Sequence, residues 1–222
     1  MEPTRRPRIK ICCISSVEEA QMAIRHGASA LGLVSSMPSG PGIISEEEIA
    51  AIAETIPPPI ASFLLTSRQD VPSIVAQQRH SKVNTLQICD RLLEGMYQDL
   101  REALPGISLV QVIHVVDRSS VEEACLIASS VDALLLDSGN QSLAIKELGG
   151  TGRVHDWELS RMIREEISIP LFLAGGLTPA NVQTAIDMVG PFGLDLCSSV
   201  RTAGALDEQK LAHFFSQLPV SA

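Results

Sequence analysis

Leu171-Phe172-Leu173-Ala174-Gly175-Gly176-Leu177 and, further along, Phe192-Gly193-Leu194-Asp195-Leu196-Cys197-Ser198-Ser199 share one pattern. In each, a short apolar run reads as a buried strand, two small residues follow, and a helical pattern opens beyond them. A turn of that kind points backbone N–H groups at one spot beside the positive end of a helix, which suits a phosphate. Small residues are also what any tight strand-to-helix turn needs. A third cluster, Gly149-Gly150-Thr151-Gly152, follows the strand-like Ala133-Leu134-Leu135-Leu136-Asp137, and the three together favour a phosphate cradle over turn geometry alone.

The same strand-then-helix rhythm extends back to the start of the chain. Ile9-Lys10-Ile11-Cys12-Cys13-Ile14 reads as strand one, and Ser16 with Glu19 as a capping box for a helix over 17–26. Strand two is Ala30-Leu31-Gly32-Leu33-Val34, and Ser45 caps an acidic-fronted helix. Strands are expected over 60–65, 83–88, 109–115 and 133–137, with helices over 71–80, 92–104 and 120–130. The last of these opens on a second capping box, Ser120 to Glu123. A long polar loop, 138–155, precedes a helix capped by Asp156, and loops of that length in a compact chain are usually functional or disordered. Helices from Ala180 and from Leu206 complete the count. Eight strand–helix units with unbroken apolar strands favour a (β/α)₈ TIM barrel over an open doubly wound sheet. The turn after strand one also lacks the Gly-x-Gly-x-x-Gly that open sheets carry. One barrel domain over 1–222 is the expectation.

Composition narrows the function. With 17 Lys and Arg against 26 Asp and Glu, the net charge of −9 argues against a nucleic-acid or acidic-membrane binder. Hydrophobic residues make up 45% of the chain but aromatics only 3%, so the core must be aliphatic. The five cysteines, Cys12, Cys13, Cys89, Cys125 and Cys197, show no Cys-x-x-Cys spacing and fit a reduced, cytoplasmic protein rather than a disulfide or zinc scaffold. Arg5, Arg6, Arg8 and Lys10 are followed by no signal-peptide apolar core, and no run approaches a membrane span.

In such barrels the chemistry gathers at the C-terminal ends of the strands. That rule selects Cys12, Cys13, Gln87, Cys89, Asp137 and Asp195 along with the glycine clusters. Alternation puts one of Cys12 and Cys13 into the barrel mouth and the other toward a helix. Packing is the ordinary role of a buried cysteine, but Lys10 shares the face of Cys12 and sets a cation beside it. Asp137, after three leucines, is either a cap for the next loop or a catalytic acid. His80, His114 and His155 have no metal spacing and read as structural or solvated, and Trp157 as packing.

Taken together these motifs resemble the phosphoribosylanthranilate isomerase family of tryptophan biosynthesis. Lys10-Ile11-Cys12 is similar to that family's Lys-Ile-Cys-Gly, Leu135-Leu136-Asp137-Ser138 to its Leu-Leu-Asp-Ser/Thr, and Gly149-Gly150-Thr151-Gly152 with Asp156-Trp157 to its Gly-Gly-Thr-Gly…Phe-Asp-Trp. Leu173-Ala174-Gly175-Gly176-Leu177-Thr178-Pro179 with Asn181-Val182, and Asp195-Leu196-Cys197-Ser198-Ser199-Val200, continue the likeness in order. The resemblance implies a barrel of the ribulose-phosphate-binding type and an Amadori rearrangement of an aminoaldose phosphate. It implies Cys12 as base and Asp137 as acid, with Lys10, Gln87, Gly149, Gly150, Gly152, Gly175, Gly176, Ser198 and Ser199 holding the phosphosugar. No metal and no cofactor is implied. The partner is a small-molecule phosphosugar, not nucleic acid or membrane, and the protein would act as a monomer or homodimer.

The chain departs from the family's pattern at the aglycone side. Gly42 stands where the family has the Arg of Ser-Pro-Arg, which holds the anthranilate carboxylate. Losing such a bidentate partner costs about 1.5–3 kcal/mol. Cys89 replaces a His, Cys13 a Gly, and Ser199 and Arg201 a Gly and a Glu. The alternative reading is therefore a divergent paralogue that binds a phosphosugar, isomerising another phosphoribosyl amine or turning nothing over.

Overall fold

A strand covered on both faces reads as a nearly continuous apolar run, and the computed structural model arranges these runs in that way. It describes residues 6–150 and 152–219; Arg5 and Thr151 lie outside them. Eight parallel strands close on themselves: β1 Arg8–Ile11, β2 Ala30–Val34, β3 Ala61–Thr66, β4 Thr85–Ile88, β5 Ser108–His114, β6 Ala133–Asp137, β7 Leu171–Leu173 and β8 Gly193–Leu196. β8 pairs back onto β1 with Ile11 opposite Leu196, which completes a (β/α)₈ TIM barrel. Around it run α1 Val17–Arg25, α2 Glu46–Glu54, α3 Val71–Ser81, α4 Tyr97–Ala103, α5 Ser119–Ala128, α6 Trp157–Glu166, α7 Val182–Val189 and α8 Glu208–Ser216. Among the described residues no helix is long and apolar enough to cross a membrane.

Alternation along the strands divides the core in two. Ile9, Ile11, Leu31, Leu33, Leu64, Leu134, Leu136 and Leu194 pack outward against the helices. Ala30, Val34, Phe63, Leu65, Val110, Val112, Leu135 and Phe172 fill the barrel interior. Gly32 leaves room inside it: a Cβ there would lie 3.0 Å from Cys12 Sγ and 3.1 Å from Lys10 Nζ.

Several local expectations are corrected. Glu19 does not close a capping box on Ser16; its carboxylate accepts from the Ser15 N–H and turns inward to Arg201. The Ser120–Glu123 box is absent as well, because Ser120 Oγ binds the Val116 N–H and the His114 carbonyl while Glu123 pairs with Arg91. At Ser45 a capping box with Glu48 does form. α4 begins at Tyr97 rather than Leu92, since Gly95 adopts φ +87 and the Met96 N–H is capped by Asp99. α8 starts after a short ribbon, β9 Arg201–Thr202 paired with β10 Ala205–Leu206.

Candidate active site

The C-terminal ends of the strands surround an open cleft. Cys12 lies just beyond β1, Gln87 on β4 and Asp137 at the end of β6; all three line the cleft. So do Gly149, Gly150 and Gly152 from the loop after β6, Gly175 and Gly176 after β7, and Ser198 and Ser199 after β8. Lys10 does not line it. Its ammonium is fully buried one layer below, 2.9 Å from Asp195 Oδ1 and 5.3 Å from the centre of the Phe63 ring. Burial alone would depress the Lys10 pKa, but the Asp195 carboxylate and the neighbouring Cys12 raise it, so it stays charged. Burial raises Asp195 against the opposing pull of Lys10. Lys10 is thus a fixed positive charge under Cys12 rather than a contact for a ligand.

Both Cys12 and Cys13 face the cleft, so the expected alternation fails there. The strand ends at Ile11, and Cys13 takes a left-handed conformation, φ +62, that swings its side chain back toward the mouth. Arg201 fixes this turn. It is buried, donates from Nη2 to the carbonyls of Cys12 (3.2 Å) and Cys13 (2.5 Å), and forms a two-pronged pair with Glu19 at 3.0 and 3.1 Å. Burial would raise the Glu19 carboxyl, but bonds from Arg201 and the Leu206 and Ser15 N–H groups hold it below the ordinary range.

Asp137 Oδ1 accepts from the Ser138 N–H at 2.7 Å, which orients the carboxylate. Gly149 passes so close that a Cβ there would sit 2.6 Å from Asp137 Oδ2. Gln87 is buried and its Oε1 has no partner among the described residues, so the amide can accept from a ligand. His155 is not simply structural filler: a Cβ on Gly175 would meet its Nδ1 at 3.1 Å, and that nitrogen has no partner among the described residues. Burial lowers its pKa against the pull of Asp137.

Among the described residues lining the cleft none is a Lys, Arg or His. An anion there must rely on uncharged donors, backbone N–H groups and the hydroxyls of Ser39, Ser198 and Ser199. The turns supplying them differ from expectation, since α7 starts at Val182, well past Gly176, and Ser198–Val200 is one turn of 3₁₀ helix.

A sequence model of the family described as "N-(5'phosphoribosyl)anthranilate (PRA) isomerase" matches residues 9–217. The chain belongs to this family. It is 36% identical over 209 residues to N-(5'-phosphoribosyl)anthranilate isomerase 2 of Methanosarcina mazei, covering 93% of this chain and 92% of that one. The crystal structure of phosphoribosyl anthranilate isomerase from Thermotoga maritima superposes with a TM-score of 0.78 at 27% identity, covering 96% of this chain and 98% of that one. Another isomerase structure, bound to reduced 1-(o-carboxyphenylamino)-1-deoxyribulose 5-phosphate, superposes with a TM-score of 0.76 at 25% identity over 96% and 98% of the two chains.

Gly42 has no room for a side chain beside Cys13. Gly42 adopts φ +78, and a Cβ on it would lie 2.4 Å from Cys13 Cβ and 2.8 Å from Cys13 Sγ. The side chain at 13 fills the space that a side chain at 42 would need. Gly42→Arg alone should therefore destabilise the fold by about 1–3 kcal/mol. Combined with Cys13→Gly it should recover only part of that loss, because the left-handed φ at 42 and a 2.9 Å approach to the Cα at 13 both remain. Urea denaturation of the two variants measures this; a single variant as stable as the parent would refute the steric account.

Proposed function

We propose that this chain rearranges N-(5'-phosphoribosyl)anthranilate to 1-(o-carboxyphenylamino)-1-deoxyribulose 5-phosphate in tryptophan biosynthesis. The observation carrying this reading is that Cys12 and Asp137 line one cleft with the small-residue turns after β7 and β8, in a chain of this family. The carboxyl of Asp137 gives its proton to the ribose ring oxygen as the C1–O bond breaks, and the nitrogen lone pair forms a C1=N iminium. The Cys12 thiolate then takes the C2 proton, and the electron pair moves through C1=C2 to the nitrogen. The resulting enolamine tautomerises to the aminoketose. Lys10 supplies a positive charge beneath the sulfur, while Gln87 accepts from a sugar hydroxyl. The turns Gly175-Gly176 and Ser198-Ser199 hold the phosphate through backbone N–H groups, with Gly149, Gly150 and Gly152 closing over the sugar. The chain acts as a cytoplasmic monomer or homodimer, folded as one barrel domain.

The cleft's aglycone side favours a second reading, because the space at Gly42 is taken by Cys13 and no described lining residue supplies a cation. On that reading another phosphoribosyl amine is the substrate, or none is turned over. Turnover of N-(5'-phosphoribosyl)anthranilate by the wild type decides between them. Conversion to the ketose supports the isomerase, whereas tight binding of a ribose phosphate without conversion supports the paralogue. Gln87→Ala should raise KM about tenfold through loss of one buried hydrogen bond; an unchanged KM would remove Gln87 from the binding set.

A further inference from the structure

Two thiols at the mouth take no part in the proposed proton transfers, yet they touch. Cys13 Sγ and Cys197 Sγ are 3.0 Å apart, both line the cleft, and Cys197 is partly buried. They extend adjacent strands: Ile11 pairs with Leu196, and the Cys12 N–H donates to the Leu196 carbonyl at 2.7 Å. With the sulfurs already in contact, the pair lies within reach of a disulfide bond. The left-handed turn at Cys13 aims its sulfur at its neighbour. We propose that Cys13 and Cys197 form a peroxide-sensitive dithiol whose closure to a disulfide across the barrel mouth switches turnover off.

The two thiols are unequal: Cys13 is buried and Cys197 is the more accessible to solvent, which makes Cys197 the one that meets peroxide first. Cys197 is held below its ordinary value, first by the hydrogen bond from Cys13 and also by the Arg201 charge, while Cys13 is pushed up by bonding to its neighbouring thiols and by burial. The Cys197 thiolate attacks one oxygen of hydrogen peroxide; the O–O bond breaks, hydroxide leaves, and a sulfenic acid forms. The Cys13 sulfur then attacks that sulfur. The S–S bond forms as the S–O bond breaks, and the departing hydroxide takes the Cys13 proton as water. Two electrons pass from the thiols to peroxide, and the hydroxide released in the first step takes up the proton that Cys197 gave up on forming its thiolate, so peroxide ends as two waters. By contrast Cys89 is buried and raised by desolvation, and Cys125 is exposed on α5.

Closing the pair to about 2.05 Å draws the two turns together by about 1 Å. One turn carries Cys12 and the other Ser198-Ser199, and a displacement of that size costs up to about 10²-fold in rate. The loss of turnover rests on the proposed reaction, but the cross-link does not and is read by mass.

The test treats the full chain, in a Cys125→Ser background, with a few equivalents of hydrogen peroxide, followed by thiol alkylation and peptide mass analysis. A cross-link joining the segment containing Cys12 and Cys13 to the one containing Cys197 is expected. It should persist in Cys12→Ala and vanish in Cys13→Ser and in Cys197→Ser. Turnover should fall at least tenfold and return with dithiothreitol. No cross-link, a cross-link that survives Cys13→Ser but not Cys12→Ala, or a cross-linked protein with turnover within twofold of the reduced one would each overturn the proposal.

Discussion

Asp137→Asn should lower kcat by about 10²–10⁴-fold while leaving the fold intact. The amide oxygen can still accept from the Ser138 N–H, as the carboxylate oxygen does at 2.7 Å, so the loop after β6 keeps its anchor. What the amide cannot do is give a proton to the ring oxygen. Cys12→Ser should show a loss of similar size, since a hydroxyl fills the thiol's space above Lys10 but is a poor base. Because the two groups serve one rearrangement, the double variant should be little worse than either single one. Steady-state kinetics with a urea denaturation control measures this. A variant keeping more than about a tenth of the parental kcat, folded normally, would remove that residue from the proton transfers.

Arg201→Met should be the most damaging change away from the reacting groups. It strands the buried Glu19 carboxylate, which keeps bonds from the Leu206 and Ser15 N–H groups but loses its counter-charge. Breaking a buried pair from one side costs about 3–5 kcal/mol, which in a chain of this size lowers Tm by about 6–20 °C. Adding Glu19→Gln should restore part of the loss, because the uncompensated charge is gone. The carbonyls of Cys12 and Cys13 also lose their donor, so kcat should fall even in the folded fraction. The pair has a pH signature too. Glu19 is held below its ordinary value, so its contribution is present above the unfolded glutamate range and disappears as pH falls through the folded one. The acid limb of the stability profile should be shallower in Arg201→Met. A Tm within 2 °C of the parent would contradict this account of the clamp.

The barrel was legible because covered parallel strands read as nearly continuous apolar runs, and Ala133–Asp137 has the same bounds in the structure as in the sequence reading. Helix starts were less legible where a carboxylate has two possible partners. Glu19 and Glu123 both look like capping residues, and both are drawn away by arginines distant in sequence, Arg201 and Arg91. In the site, the ends of β1, β4 and β6 could be picked out by position within the fold. Lys10 was misplaced by one layer, because its pairing with Asp195 joins residues 185 apart in sequence. The left-handed turn at Cys13 left no mark in the sequence, since nothing about a cysteine announces positive φ. Its consequence, the exclusion of a side chain at Gly42, was hidden with it.

The central claim is geometric: one phosphosugar lies between the thiol of Cys12 and the carboxyl of Asp137. A crystal structure of this chain with reduced 1-(o-carboxyphenylamino)-1-deoxyribulose 5-phosphate tests it most directly. The account predicts the phosphate on the backbone N–H groups of Gly175-Gly176 and Ser198-Ser199, with Cys12 Sγ and the Asp137 carboxyl each within about 3.5 Å of the sugar. A phosphate bound elsewhere, or a sugar out of reach of either side chain, would contradict it.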